Sequence, residues 1–496
     1  CTGLTSLDVS TFDTSAVTNL SYMFAYSSAF TQVNTDGFDL SNAETMLYMY
    51  AGCTNLSKNV LMSVSGDDSS SDPVFGSDWE REEISTVTFL STLEDEPDDS
   101  WDVSEAGDGS VKAWVTEIDD SVNLYIAADG GVRLPEDSGY LFGNYLYTSS
   151  IDMAGVDTSG VVDMSYMFYK TDLTELDVSG FDTSNVQSME GMFSGCLYLT
   201  ELDVSGFDTS NVQSMEGMFS DCWELAELDV GGFDTSNVTD MSYMFHACYE
   251  LISLDVSGFD TSNVTDMSYM FCYCMELQEA DVSNFNTSRV TDMSNLFENC
   301  KSLTVIDVSG FDTSNVTDMS SMFSLCASVK ELDVSGFDTS QVTSMSCMFD
   351  FAQGCSLTEL DITGFDTSQV SNMRCMFLGC TVTDLFVDDF DTSNVTDMFR
   401  MFKNCTGLGT LNVSNFDTSQ VTTMEEMFYG CQNLLDLDLS GFDISNVSEE
   451  EDWSIFLYDC SSLKTLLLWE GISTELKAGL YEQAEIFISP DFGGVG

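Results

Sequence analysis

The sequence predicts an α/β solenoid, a right-handed coil of short parallel strands and short helices with a small β-rich capping segment. Three observations predict it. A phenylalanine returns at Phe181, Phe207, Phe233, Phe259, Phe285, Phe311 and Phe337, each step being 26 residues, and continues at Phe365, Phe390, Phe416 and Phe442 after steps of 28 and 25. The stretch around it, Leu202-Asp203-Val204-Ser205-Gly206-Phe207-Asp208-Thr209-Ser210-Asn211-Val212, comes back almost unchanged. A cysteine recurs fifteen residues beyond the phenylalanine in most units. Self-similarity at such a period marks units that each cover a neighbour's apolar face.

With the phenylalanine counted as slot 0, apolar residues fall at +5 (Val212), +8 (Met215), +11 and +12 (Met218, Phe219), +15 (Cys222), +18 (Leu225), +21 (Leu228) and +23 (Val230). The steps from +8 to +15 have the three-to-four spacing of one helical face, so a short helix is expected from +8. Slot +7 holds Asp240, Asp266, Asp292, Asp318 and Asp397 in some units, and Ser, Asn or Thr in others. Those are helix N-capping residues, which accept the unpaired N–H groups of a first turn. The pair +21/+23 has strand alternation, and Asp-Thr-Ser-Asn at +1 to +4 suits an Asx-type turn. Each unit therefore reads as strand, turn, short helix and return, a leucine-rich-repeat-like coil with parallel strands on one face.

The unit LDVSGFDTSNVTDMSYMF followed by Cys resembles the BspA-like family of leucine-rich-repeat surface proteins, over roughly two-thirds of the chain. The resemblance implies an exported, extracellular cell-surface protein that attaches to host matrix or to other cells.

The chain in order gives the following organisation. Residues 1–59 carry the end of a first array, with Phe12 and Phe38 again 26 apart. Cys1 stands in the ladder slot, which predicts a repeat cut open at that end. Residues 60–83, with GDDSSSDPVFGSD at their heart, read as an acidic Ser/Gly linker. Residues 84–150 contain strand-like alternation at 84–90, 111–115 and 122–126 and are expected to cap the array. The main array spans 151–470, and 471–496 hold a C-terminal cap and tail in which Ser473 is placed to cap a short helix.

Composition narrows the function. The formal net charge is −71, from 84 acidic and 13 basic residues. Phosphate would be repelled, so nucleic acid is not an expected partner, nor is an anionic membrane surface. No run of about 18 apolar residues occurs, so no transmembrane segment is expected. Of 16 cysteines most fill the inner +15 slot, as small apolar residues. Cys347 and Cys375 share slot +10 in adjacent units and form the one disulfide pair to consider. His246 is the single histidine, which leaves little for Ser-His-Asp or Cys-His catalysis, and the chain reads as non-enzymatic.

The distinctive surface is the outward side of the strands. Slot +20 supplies Glu201, Glu227, Glu279 and Glu331, and slot +22 supplies Asp203, Asp229, Asp255, Asp281, Asp307 and Asp333. Adjacent strands ~4.8 Å apart would set the +22 aspartates in a column, where neighbouring charges repel by roughly 1 kcal/mol in water and more near a protein. Three compensations are open: partial protonation, hydrogen bonds from the flanking serines, or bound cations such as Ca²⁺. This face is expected to bind a host or cell-surface protein or glycan. The rival expectation is a structural spacer, filament or surface-coat subunit that binds itself.

Overall fold

The structure, a computed structural model, describes residues 73–483 except 120, 353, 355, 449–452 and 470–471, and before them 6–9, 12, 17, 32–34 and 59–62. Cys1, Phe38, Cys53 and Cys355 lie outside the described residues. The chain divides into two compact units, 1–186 and 187–496.

In the first unit, β1 (Ser6–Asp8) and β2 (Gln32–Asn34) pair in parallel with Leu7 opposite Val33, the 26-residue offset of the repeat. A five-stranded sheet follows, from β3 (Thr86–Leu90), β4 (Trp101–Asp102), β5 (Lys112–Ile118), β6 (Ser121–Ala127) and β7 (Ser150–Asp152), in the order β4-β5-β6-β3-β7. Val87, Phe89, Leu124 and Ile126 alternate into its core, as the sequence pattern requires. β7 is the strand of the first, degenerate repeat. It runs parallel to β3 with Val87 opposite Ile151, which seats the sheet on that repeat through ordinary strand hydrogen bonds.

The stretch expected to be a linker is packed from Pro73 onward. Val74 and Phe75 are buried, and so is Arg81, whose Nη1 donates to the carbonyls of Gly143 (2.8 Å) and Tyr140 (3.2 Å). Two apolar residues and one guanidinium with matched acceptors outweigh the acidic composition around them.

In the second unit, β8 (Glu201–Leu202), β9 (Glu227–Leu228), β10 (Ser253–Leu254) and β11 (Glu279–Ala280) form a parallel sheet in sequence order. Further along, β12 (Asp436–Asp438) pairs in parallel with β13 (Thr465–Leu467). These strands are mostly two residues long, shorter than the Leu-Asp-Val expected, because Asp turns the chain immediately after Leu. The interior is a set of ladders. Phe at +12 stacks ring on ring: Phe193, Phe219, Phe245 and Phe271 lie 5.8 Å apart, centroid to centroid. Cys222, Cys248, Cys274 and Cys300 are buried, and each thiol donates to the +12 phenylalanine carbonyl of the preceding repeat at 3.0–3.3 Å. A ladder that sequence spacing did not announce lies at +2. There the buried Thr209, Thr235, Thr261 and Thr287 donate to the next repeat's +1 carbonyl at 3.0 Å.

The helix expected from +8 does not form. The N–H groups of Met215, Gly217, Phe219 and Asp221 leave their own repeat and donate to Asp240, Ser242, Met244 and His246 of the next, at 2.8–3.1 Å. The N–H groups between them close tight turns, Met218 to Met215 and Ser220 to Gly217. Every second residue of this stretch is thus committed to the neighbour, and no i→i−4 ladder can grow. The backbone records the choice: Tyr243 and Tyr269 at +10 have φ of 57° and 58°, and Tyr273 at +14 has φ 63°, left-handed values incompatible with an α-helix. Among the described residues the α-helix is α1 (Thr474–Gln483), and Ser473 Oγ accepts the Leu476 N–H at 3.1 Å, the cap expected of it.

Candidate functional site

The strand face brings the ten expected carboxylates together. Glu201, Asp203, Glu227, Asp229, Asp255, Glu279, Asp281, Asp307, Glu331 and Asp333 are all exposed, while Leu202, Leu228 and Leu254 between them point inward. The row spacing comes from stacking, with Glu201 opposite Glu227 and Ser253 opposite Glu279.

Of the three compensations, hydrogen bonding is seen directly. Asp255 Oδ1 accepts both the Ser257 N–H (3.1 Å) and its hydroxyl (2.6 Å). The same pair of bonds holds Asp203, Asp281, Asp307 and Asp333 to Ser205, Ser283, Ser309 and Ser335. Asp229, followed by Gly231, keeps the backbone bond alone, at 3.1 Å. Each is an Asx turn that swings the chain from strand to phenylalanine. The serine hydroxyl and N–H hold the Asp255, Asp281 and Asp333 carboxyls below the usual range, so these groups stay ionised at neutral pH. No group of three or more His, Cys, Asp or Glu side chains gathers to hold a metal among the described residues.

A second acidic column runs along slot +7, where Asp240, Asp266, Asp292 and Asp318 are half-buried. Each accepts the N–H of the residue two further on, at 2.8–2.9 Å, so the capping role survives although a turn replaces the helix. Here burial, with Asp292 and Asp240 as repelling neighbours, pushes the Asp266 carboxyl up against the pull of Ser268.

His246 does not build a triad. Its Nδ1 lies 3.4 Å from Ser220 Oγ and 4.0 Å from Asp221 Oδ1. Hydroxyl and carboxylate approach the same nitrogen, whereas relay of a proton needs them on opposite ones. Burial lowers the His246 pKa, so the ring is chiefly neutral at pH 7. Tyrosines surround it: Tyr243 stacks on Tyr269 at 4.5 Å, and Trp223 and Tyr249 lie 5.5 Å apart. Cys347 and Cys375 face each other in adjacent repeats as free thiols.

The family model described as "Mycoplasma protein of unknown function, DUF285" matches residues 3–73, 140–251, 214–330, 272–354 and 350–465. The chain belongs to the DUF285 family. Its matches overlap and tile the repeats, so DUF285 describes several successive 26-residue units rather than one globular domain. No curated protein and no solved structure matches the chain. No helix is long and apolar enough to cross a membrane among the described residues.

One feature of the strand face escaped the sequence reading. The slot between the two inward residues, aspartate in most repeats, holds Phe386, Asn412 and Leu467 near the end of this DUF285 chain. Aligning the outward slots, rather than the apolar ones, would have exposed it.

Proposed function

We propose that the chain is an exported, non-enzymatic cell-surface protein of the BspA-like leucine-rich-repeat kind. In this reading its repeats form a right-handed solenoid, and its strand face binds a host or cell-surface protein or glycan. The observation that carries the proposal is the strand-face column of exposed aspartates, all but Asp229 among the six fixed by a serine two residues on. Fixed charges lose little freedom on binding, and an extended negative surface speeds encounter with basic partners. The experiment is surface plasmon resonance of the intact chain against extracellular-matrix proteins over a salt series. The Asp255→Asn/Asp281→Asn/Asp307→Asn variant is expected to associate several-fold more slowly and with weaker salt dependence. Equal association by variant and parent would sink the strand-face reading.

A self-associating spacer is the second reading, favoured by the aromatic group on the turn face. Trp223 and Tyr243 are 41% and 37% exposed there, beside Tyr249, Tyr269 and Tyr273. Sedimentation velocity decides it: concentration-dependent assembly abolished by Trp223→Ser/Tyr243→Ser would establish this role, and a monomer at all concentrations would end it.

A further inference from the structure

Near its C-terminal end the strand face of the second unit changes chemistry. Its four rows of outward residues there are Asp384, Phe386 and Asp388; Thr410, Asn412 and Ser414; Asp436, Asp438 and Ser440; and Thr465 with Leu467. β12 and β13 fix the last two rows in register, with Asp436 opposite Thr465 and Asp438 opposite Leu467. These rows enclose a groove of about 380 Å³, floored by Leu385, Leu411 and Leu437. Phe386 is 57% exposed and Leu467 50% exposed on a face whose other outward residues are mostly polar, Val305 being a further exception. The core does not need either side chain, because Leu385 and Leu466 beside them already fill the inward slots at 5–6% exposure. Large apolar groups held in water at a concave site mark a place where something else buries them.

We propose that this groove binds an extended basic segment of a protein partner, with apolar residues at positions i and i+4 and lysine or arginine at i+2. The inference rests on the binding-module reading above and names the partner chemistry at one place on that face. Phe386 and Leu467 stand three rows apart, about 14 Å at ~4.8 Å per row. An extended chain rises ~3.3 Å per residue and turns alternate side chains to one side. Residues i and i+4 are then ~13 Å apart and face the groove together, matching the two apolar anchors. The residue at i+2 falls between the Asn412 and Asp438 rows. Four carboxylates, those of Asp384, Asp388, Asp436 and Asp438, line the groove, and no cationic side chain does. That charge selects a cation at the centre of the segment and rejects an acidic one.

The test uses the intact chain and a fluorescein-labelled nonapeptide with leucine, lysine and leucine at alternate central positions on a Ser/Gly background. Anisotropy titration is expected to show saturable binding that weakens as salt rises. Replacing the lysine by glutamate should abolish it. Moving the second leucine by one position, which turns it away from the groove, should weaken binding about tenfold. Phe386→Ser and Asp436→Asn/Asp438→Asn should each cost about tenfold or more. These side chains contribute little to the core, so unchanged thermal melting will show that the variants are folded. The proposal is overturned if the peptide does not bind, if the glutamate peptide binds equally well, or if neither variant weakens binding. It is also overturned if a trimer of N-acetylglucosamine, and not the peptide, binds in a Phe386-dependent way, since the groove would then be a sugar site. Failure here leaves the matrix-protein measurement intact, because that experiment reads a different stretch of the face.

Discussion

The strand face and the turn face of the same repeats each carry a column of aspartates, and Asp255 in one and Asp266 in the other are held in opposite ways. On the strand face Asp255 and Asp281 stand in solvent, and a serine hydroxyl and N–H draw their pKa values down. On the turn face Asp266 is half-buried between Asp240 and Asp292, and desolvation with like charge drives its pKa up although Ser268 still bonds it. The vertical repeat of both columns is the same. At Asp255 and Asp266 depth decides the sign. The bonds given to exposed Asp255 are net favourable, whereas the same bonds to half-buried Asp266 do not offset the lost hydration and the like charges beside it.

Linkage turns this into opposite pH behaviour. The depressed strand-face carboxyls contribute stability that is present above about pH 3.9 and lost as pH falls through their folded pKa values. Asp266, with its raised pKa, contributes stability that is present below that pH and lost as pH rises through its folded value.

The largest expected effect comes from removing the scaffold the columns share. Phe271 sits fully buried in the stacked ladder between Phe245 and Phe297. Phe271→Ala should destabilise the second unit by about 3–5 kcal/mol in denaturant unfolding. Next comes the contrast between the columns. Asp266→Asn should raise the melting temperature at pH 7 and leave it unchanged near pH 3. Asparagine is sterically accepted in that slot, where Asn372 takes the Arg374 N–H at 3.0 Å. Asp255→Asn should give no such gain, and equal gains from both substitutions would erase the distinction. A smaller effect is local: Ser257→Ala should move the Asp255 carboxyl up toward its ordinary value in an NMR titration. No movement would mean that the hydroxyl at 2.6 Å does not set the depression. The smallest is calcium, which at fixed ionic strength should barely change the melting temperature, because a serine already holds Oδ1 of Asp255, Asp281 and Asp307 and no three acidic side chains gather around one point among the described residues. A marked rise would restore bound cations as the compensation.

How much of this was legible depended on what the chemistry of a side chain can and cannot announce. The inner residues Phe219, Cys222, Leu228 and Val230 were readable because burial follows from type and period. The path of the backbone between them was not. A Met-x-x-Met-Phe spacing fits a helical face and a run of tight turns equally well, and the hydrogen bonds that choose between them go to residues 25 positions away, Met215 to Asp240 for instance. Thr209 read as a turn residue for the same reason, since its acceptor, the Asp234 carbonyl, belongs to another repeat. Of the candidate site, the ten exposed carboxylates were plain from alternation and their serine partners were among the expected compensations. Phe386 and Leu467 were missed because a period found from its regular members hides the members that break it.

The cysteine ladder gives the protein a way to be timed. Four rungs are neutral thiols: burial pushes Cys248 up to about 12, and Cys222, Cys274 and Cys300 well above the ordinary thiol value. Alkylation and oxidation act on the thiolate at an exposed sulfur, so a closed repeat shields its ladder thiol from reaction. Modification then waits for a repeat to open, and its rate at each rung is the local opening equilibrium multiplied by the chemistry of a free thiol. Mass-resolved alkylation would therefore read the order in which the repeats come apart, one cysteine at a time, with the chain's own sulfurs as the clock.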